Sequence, residues 1–393
     1  MNSTITDSPF YYRVRPPVSE SVISEVFQQQ VEPRKTDSYY FNSMRIGFLL
    51  FLELLRAKKG EPLRVGLQVF TCSCMRRVIE ETGNKAIFHD INRHYLSSSS
   101  EDIPYDEIDV LVLTHVFGIP NPHYEQIAME CRKKGVYLFE DLASTIDTKV
   151  NGVSVGSLSD GFAFSYGFDK PISSYKGGEL VINNQEMKQL ADEKYKLMPE
   201  ESEKKSRKDL KRLLNYYYLT DPELVERETH TTNLIEPFLY VNGTKSGKTW
   251  NKAYQSRLNM KAAVLIRREK MKSLKMSKRK IYLIQQMQHK FSHILKERDT
   301  IGKEVIIALK TKYPELIVPE FKSDCQTTLH RPIVIAENPK LRKELENHPN
   351  IQFGAYNWKH LITREPQKYP VAHYISRNLI NIPNWDKGIL QYI

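Results

Sequence analysis

The sequence predicts an α/β fold built on a mostly parallel sheet flanked by helices, with material left over for a second, smaller unit. Two observations predict it. Short apolar runs alternate with segments of helical pattern from residue 42 to residue 183, and strands separated by helices imply a parallel sheet covered on both faces. The chain has 393 residues, more than one typical core accommodates.

The elements follow in order. NSMRIGFLLFLELLRAKKG (42–60) has a polar start, a long apolar run and a Lys-Lys-Gly end, as a buried helix with a C-terminal stop does. LRVGLQVF (63–70) reads as a buried strand and SCMRRVIEETG (73–83) as the helix after it. KAIFHDI (85–91), DVLVLTHVFG (109–118), VYLFEDLA (136–143), GFAFSYG (161–167) and GELVIN (178–183) are further strands, and NPHYEQIAMECRKKG (121–135) is an amphipathic helix between two of them. A long helical segment is expected over 261–291, KAAVLIRREKMKSLKMSKRKIYLIQQMQHKF.

Composition excludes several classes. With 40% hydrophobic and 27% charged residues the chain is ordinary for a soluble protein, and no apolar run approaches the length of a membrane span. The start, MNSTITDSPFYYRVRPPVSE, lacks the basic and apolar parts of a secretory signal, so a cytoplasmic protein is expected. Cys72, Cys74, Cys131 and Cys325 are too scattered for a disulfide framework, and Cys72 and Cys74 have no second pair to complete a metal site. The net charge of +11 suits nucleic acid, a membrane surface or an anionic small substrate. Much of the excess lies in 204–213 and 267–280, read as solvated helix faces in preference to a nucleic-acid patch. GTKSGKT (243–249) has one residue too few between its glycines for a phosphate loop.

In parallel sheets ligands bind beyond the carboxyl ends of the strands. Thr71, Cys72, Asp90, His115, Asp141 and Ser165 all follow apolar runs, so the fold brings them to one rim, and Lys170 follows five residues after Ser165. Taken by itself Lys170 is either a solvated charge or a chemical group. With a carboxylate and hydroxyls converging on it, the set is what pyridoxal phosphate needs: an amine for the aldehyde, an acid for the pyridine nitrogen, and donors for the phosphate.

Five segments in order carry a resemblance. They are IFHDIN (87–92), THVFGIP (114–120), EDLA (140–143) followed by VGSLSD (155–160), Ser165-Tyr166 with Lys170, and Gly177-Gly178. From about residue 40 to the end the chain resembles the DegT-type (DegT/StrS) sugar aminotransferases, fold type I pyridoxal phosphate enzymes. The resemblance implies catalytic roles for Lys170, bonded to the cofactor aldehyde, and Asp141, at the pyridine nitrogen. It implies phosphate binding by Ser165 and by the turn of Ser43, Met44 and Arg45, and places Ser144 and Cys72 beside the cofactor. His115 is either near the cofactor or a hydrogen-bonded structural histidine.

Departures accompany it: Ser144 stands where the family has a glutamine or histidine, Tyr175-Lys176 replace Gly-Glu, and Cys72 replaces an aromatic residue. The segment 261–291 resembles the family's connecting helix, and RPIVI, IQFGAYNW and NLINIPNW resemble its later strands. The expected division is therefore a large cofactor-binding domain over 1–250, with 184–250 an inserted, mostly helical region, and a small domain over 251–393. The implied function is transfer of an amino group from an amino acid, glutamate, to a nucleotide-linked keto sugar. The implied partner is a second copy of the chain, contacted through Gln255 and Arg257. A cofactor-binding paralogue without transaminase activity, regulatory in role, is the alternative, and a basic nucleic-acid-binding protein the third reading.

Overall fold

A computed structural model describes residues 10–11, 22, 25–27, 29–167, 170–219, 273–290, 292–349, 351–355, 361–363, 365–384 and 387–393. Its centre is a seven-stranded sheet of β1 (Tyr39–Phe41), β2 (Arg64–Gln68), β3 (Lys85–His89), β4 (Val110–Thr114), β5 (Tyr137–Asp141), β6 (Gly161–Ser165) and β7 (Gly178–Ile182), in the order β1-β7-β6-β5-β4-β2-β3. Strands β3, β2, β4, β5 and β6 run parallel, while β7 is antiparallel to both β6 and β1. Every expected strand of the region is present. Strand β1, short and preceded by polar residues, lacks the apolar length that marks a strand in sequence.

Helix α1 (Met44–Lys59) begins at Ser43, whose backbone is extended, and stops at Gly60 in the left-handed conformation. Three basic residues, Arg56, Lys58 and Lys59, occupy its last turn, where they complement the helix dipole. Its apolar residues pack on the sheet: the rings of Phe48 and Phe51 lie 4.7 and 4.9 Å from that of Phe139 in β5. Burial of each such side chain contributes roughly 1.5–3 kcal/mol. Helices α2 (Ser73–Glu81) and α3 (Tyr124–Lys134) connect the parallel strands, α3 ending at the left-handed Gly135. Helices α4 (Gln185–Leu197) and α5 (Glu203–Leu219) follow β7.

Beyond residue 272 the chain forms α6 (Lys278–Lys290), α7 (Ser292–Lys312), α8 (Pro339–Glu346) and α9 (Pro370–Asn378), with a small antiparallel sheet of β8 (Ile333–Ile335), β9 (Gly354–Ala355) and β10 (Leu379–Asn381) in the order β8-β10-β9. Ile301, Val305 and Leu309 of α7 share a core with Val334 and Ile380 of this sheet. Two joints tie it to the large sheet. Asp90, expected at the rim, instead caps α9, accepting from Val371 N at 3.0 Å and Ala372 N at 2.9 Å. The turn at Gly118 (φ +85) is pressed against 328–330, with Thr328 N donating to Gly118 O and His330 N to Phe117 O. A Cβ at Gly118 would lie 1.8 Å from Thr328 O, so only glycine fits there.

The single helix expected over 261–291 is not formed as such. Residues 273–277 are non-helical, Lys275 bridging Phe41 and Glu200, and helix begins only at Lys278. The cause is tertiary: Asn42 N donates to Leu274 O and Met276 N to Tyr40 O, so this segment gives its backbone bonds to the edge of the large sheet. Residues 261–272, the 243–249 motif, Gln255, Arg257 and the expected boundary near 250 lie outside the described residues. Among the described residues no helix is long and apolar enough to cross a membrane.

Candidate active site

The sheet order reverses between β2 and β4, and the rim beyond their carboxyl ends collects the expected residues. Asp141 closes β5 in register with Thr114 of β4 and Ala163 of β6. It is 3% exposed, and its Oδ1 accepts from Ala143 N at 3.0 Å. Burial pushes its carboxyl above the ordinary range, against the opposing pull of Ala143 N–H, Lys170 and His115. Lys170 reaches the same place from the loop after β6; its Nζ lies 3.5 Å from Ser144 Oγ.

Three features make this rim suit pyridoxal phosphate. First, Ser165 of β6 pairs with Gly178 of β7, and Gly178 with Phe41 of β1. A Cβ at Gly178 would stand 2.1 Å from Met44 N and 2.7 Å from Ser43 C, so the missing side chain brings the start of α1 against the strand ends. The first N–H groups of a helix have no acceptor inside it, and α1 has no acidic residue in its first turn while Arg45 lies there, its Nε 3.3 Å from Ser43 Oγ. Amides, serine hydroxyls and a guanidinium thus converge where an anion would be held. Second, Asp141 is a buried carboxyl that a protonated ring nitrogen would match in charge. Third, the Thr71 hydroxyl at the same rim is buried without a hydrogen-bond partner among the described residues.

Cys72 precedes α2 and is half-buried. Hydrogen bonds from Cys74, with the nearby Lys170 adding to them, bring its thiol down to about 7, whereas Cys74 goes up because it is the donor of the pair and loses solvation. A small polarisable group with a low proton affinity therefore stands where the resemblance implies an aromatic ring.

His115 makes the hydrogen bonds expected of a structural histidine, and its influence on the Asp141 carboxyl keeps it at the rim. Its Nδ1 accepts from Asn121 N at 3.0 Å, which puts the proton on Nε2, and Nε2 donates to Glu140 Oε2 at 2.9 Å. Both nitrogens are occupied and the residue is 1% exposed. Glu140 and Asp141, neighbours in β5, point to opposite faces; the histidine keeps company with Glu140, which also accepts from Gly156 N at 3.0 Å. Glu140 and Asn121 were not distinguishable in sequence as the fixers of this ring. Tyr175 adopts the left-handed conformation at φ 68, uncommon for a residue other than glycine.

The sheet order and the lysine–aspartate rim define a chain of the aminotransferase fold. Residues 42–215 match the family described as DegT/DnrJ/EryC1/StrS aminotransferases. GDP-perosamine synthase of Vibrio cholerae is 30% identical over 138 residues, 34% of this chain and 37% of that protein. A pleiotropic regulatory protein of Geobacillus stearothermophilus is 25% identical over 138 residues, again 34% and 37%. The matches thus span little more than a third of the length of these curated relatives. In structure, aminotransferase TlmJ from Streptoalloteichus hindustanus superposes with a TM-score of 0.63 at 15% identity, covering 96% of this chain and 95% of that one. A Streptococcus pneumoniae protein in its PLP form does so with a TM-score of 0.62 at 14% identity, over 98% and 96%.

Proposed function

We propose that this protein is a pyridoxal phosphate-dependent aminotransferase that moves an amino group from an amino acid, glutamate, to a nucleotide-linked keto sugar. The observation that carries the reading is the convergence of Lys170 with the buried Asp141 at one end of the rim and Ser165 with the α1 N-terminus at the other. Pyridoxal phosphate supplies an aldehyde that amines bond and a protonated ring that takes up electrons released at the substrate carbon. Ser165, Ser43 and the Met44 and Arg45 amides would hold its phosphate, and Asp141 its ring nitrogen.

Lys170 would then have two tasks, to hold the cofactor through its aldehyde and to move the proton at the substrate carbon. Ser144 Oγ, within reach of Nζ, steadies the amine between them. The net charge of +11 favours a diphosphate-bearing acceptor. The reading includes cytoplasmic residence, a large domain over 1–250 with 184–250 inserted, a small domain over 251–393, and a homodimer joined through Gln255 and Arg257. Light scattering at micromolar concentration checks the last, a monomer that keeps its cofactor contradicting it.

The test is incubation of the protein, charged with pyridoxal phosphate and glutamate, with a panel of nucleotide-linked keto sugars, read by mass spectrometry. One acceptor is expected to change mass by replacement of its carbonyl oxygen with an amino group. The similarity to a regulatory protein favours the second reading, a cofactor-binding protein without turnover: it predicts a yellow protein that leaves every acceptor and glutamate unchanged.

A further inference from the structure

The basic stretch ending at residue 280, expected as a solvated helix face, turns inward at its described end. Lys280 is 0% exposed, and its Nζ lies 2.9 Å from Glu201 Oε1, 2.8 Å from Asp209 Oδ2 and 3.4 Å from Lys176 O. Arg212 approaches Asp209 Oδ1 at 3.7 Å, so two cations and two carboxylates balance. A buried ion group of this kind costs desolvation that well-packed apolar residues would avoid. Its stabilising value is therefore a poor account of its presence, and its contacts offer a better one.

Those contacts converge on the segment between Lys170 and Gly178. Lys280 donates to Lys176 O, the same carbonyl that Ser174 Oγ approaches at 3.1 Å. The Arg212 guanidinium lies 5.6 Å from the centre of the Tyr175 ring, whose residue holds the unfavourable φ of 68. A Cβ at Gly177 would stand 2.5 Å from Met276 Cε, so the loop rests directly on the segment that enters α6. Glu201, Asp209 and Arg212 lie in the expected insertion over 184–250, and Met276 and Lys280 in the segment expected to form the connecting helix.

We infer that Arg212, Asp209, Lys280 and Glu201 form a positioning network that clamps residues 175–177, sets the direction in which Gly178 meets the start of α1, and so couples the inserted region to the phosphate end of the site. The inference rests on the reading of that site as a pyridoxal phosphate site. Lys280 touches no reacting atom; it acts through the Lys176 carbonyl. A left-handed tyrosine persists only where its surroundings impose the conformation, and this network supplies them.

The test compares wild type with the triple variant Lys280→Met, Glu201→Gln, Asp209→Asn, which removes the buried charges together, and with Arg212→Gln, which changes a half-buried residue and serves if the triple variant does not fold. Lys280→Arg is the conservative control. Circular dichroism establishes folding, visible absorbance gives the pyridoxal phosphate dissociation constant, and hydrogen exchange is followed at the amides of 174–178. In the triple variant, cofactor affinity is expected to fall by about tenfold or more and exchange at 174–178 to quicken, with α1 and β5 unchanged. Arg212→Gln should move both in the same direction by less, and Lys280→Arg should retain most of the wild-type behaviour. A folded triple variant, or failing that Arg212→Gln, with unaltered affinity and exchange overturns the inference. If wild type itself binds no pyridoxal phosphate, the functional reading fails, and exchange alone decides whether the network holds the loop.

Discussion

Lys170→Ala is expected to abolish the covalent attachment of pyridoxal phosphate and to reduce transamination by at least a thousandfold, on the order of 4 kcal/mol or more of transition-state stabilisation. The size follows from the two tasks assigned to one amine: without it the aldehyde has no anchor in the resting protein, and no other described amine stands beside Asp141 and Ser144 to move the proton. Borohydride reduction of wild type should discharge the yellow colour and leave a phosphopyridoxyl group on the peptide containing Lys170. The variant should show neither. A label on another lysine, or wild-type turnover by Lys170→Ala, would remove the central assignment. Overall folding should be little altered, because Lys170 is only half-buried and its side-chain bond to Ser144 is long.

Asp141→Asn separates stability from catalysis. The label on Lys170 should survive, since attachment needs only the amine, while the rate falls by about a thousandfold because a neutral amide cannot keep the ring nitrogen protonated. Without cofactor the same substitution should stabilise the protein. Burial raises the Asp141 carboxyl above its ordinary value of 3.8, so the folded state holds a proton that the unfolded chain has released. Stability must then fall as pH rises from that value through the folded one. Asparagine carries no such penalty. Urea midpoints of the cofactor-free proteins should diverge as pH rises, with the variant higher at neutral pH, and pyridoxal phosphate should stabilise wild type more than the variant. Equal midpoints at all pH values would show that Asp141 is not held in an unfavourable setting.

Much of this was legible in residues alone because it is local. Apolar runs of five residues ending in Asp141, Thr114 and Ser165 declare parallel strands, and the rule that ligands gather at strand carboxyl ends places those residues with Lys170 before any coordinate is known. Helix α1 is written in its apolar run and its Lys-Lys-Gly stop. The family resemblance added roles, and its departures marked Ser144, Cys72 and Tyr175 as positions where the site differs.

Other features depend on partners far away in sequence. His115 looked equally able to face a ligand or the interior; Glu140 and Asn121, brought to it by β5 and the turn before α3, fix its ring by occupying both nitrogens. The helical pattern of 261–291 gives way at 273–277 because Tyr40 and Asn42, more than two hundred residues earlier, compete for its backbone bonds and win. Lys280, one basic residue in a basic run, is buried because Glu201 and Asp209, more than seventy residues earlier, converge on it. What the sequence by itself determined was the strand and helix order and the rim that carries Lys170, Asp141 and Ser165, since periodicity and strand ends are properties of neighbours. Only the tertiary structure decided which polar groups are spent on holding the fold and which are left for chemistry, because that depends on desolvation and on hydrogen-bond partners that meet only when the chain is folded.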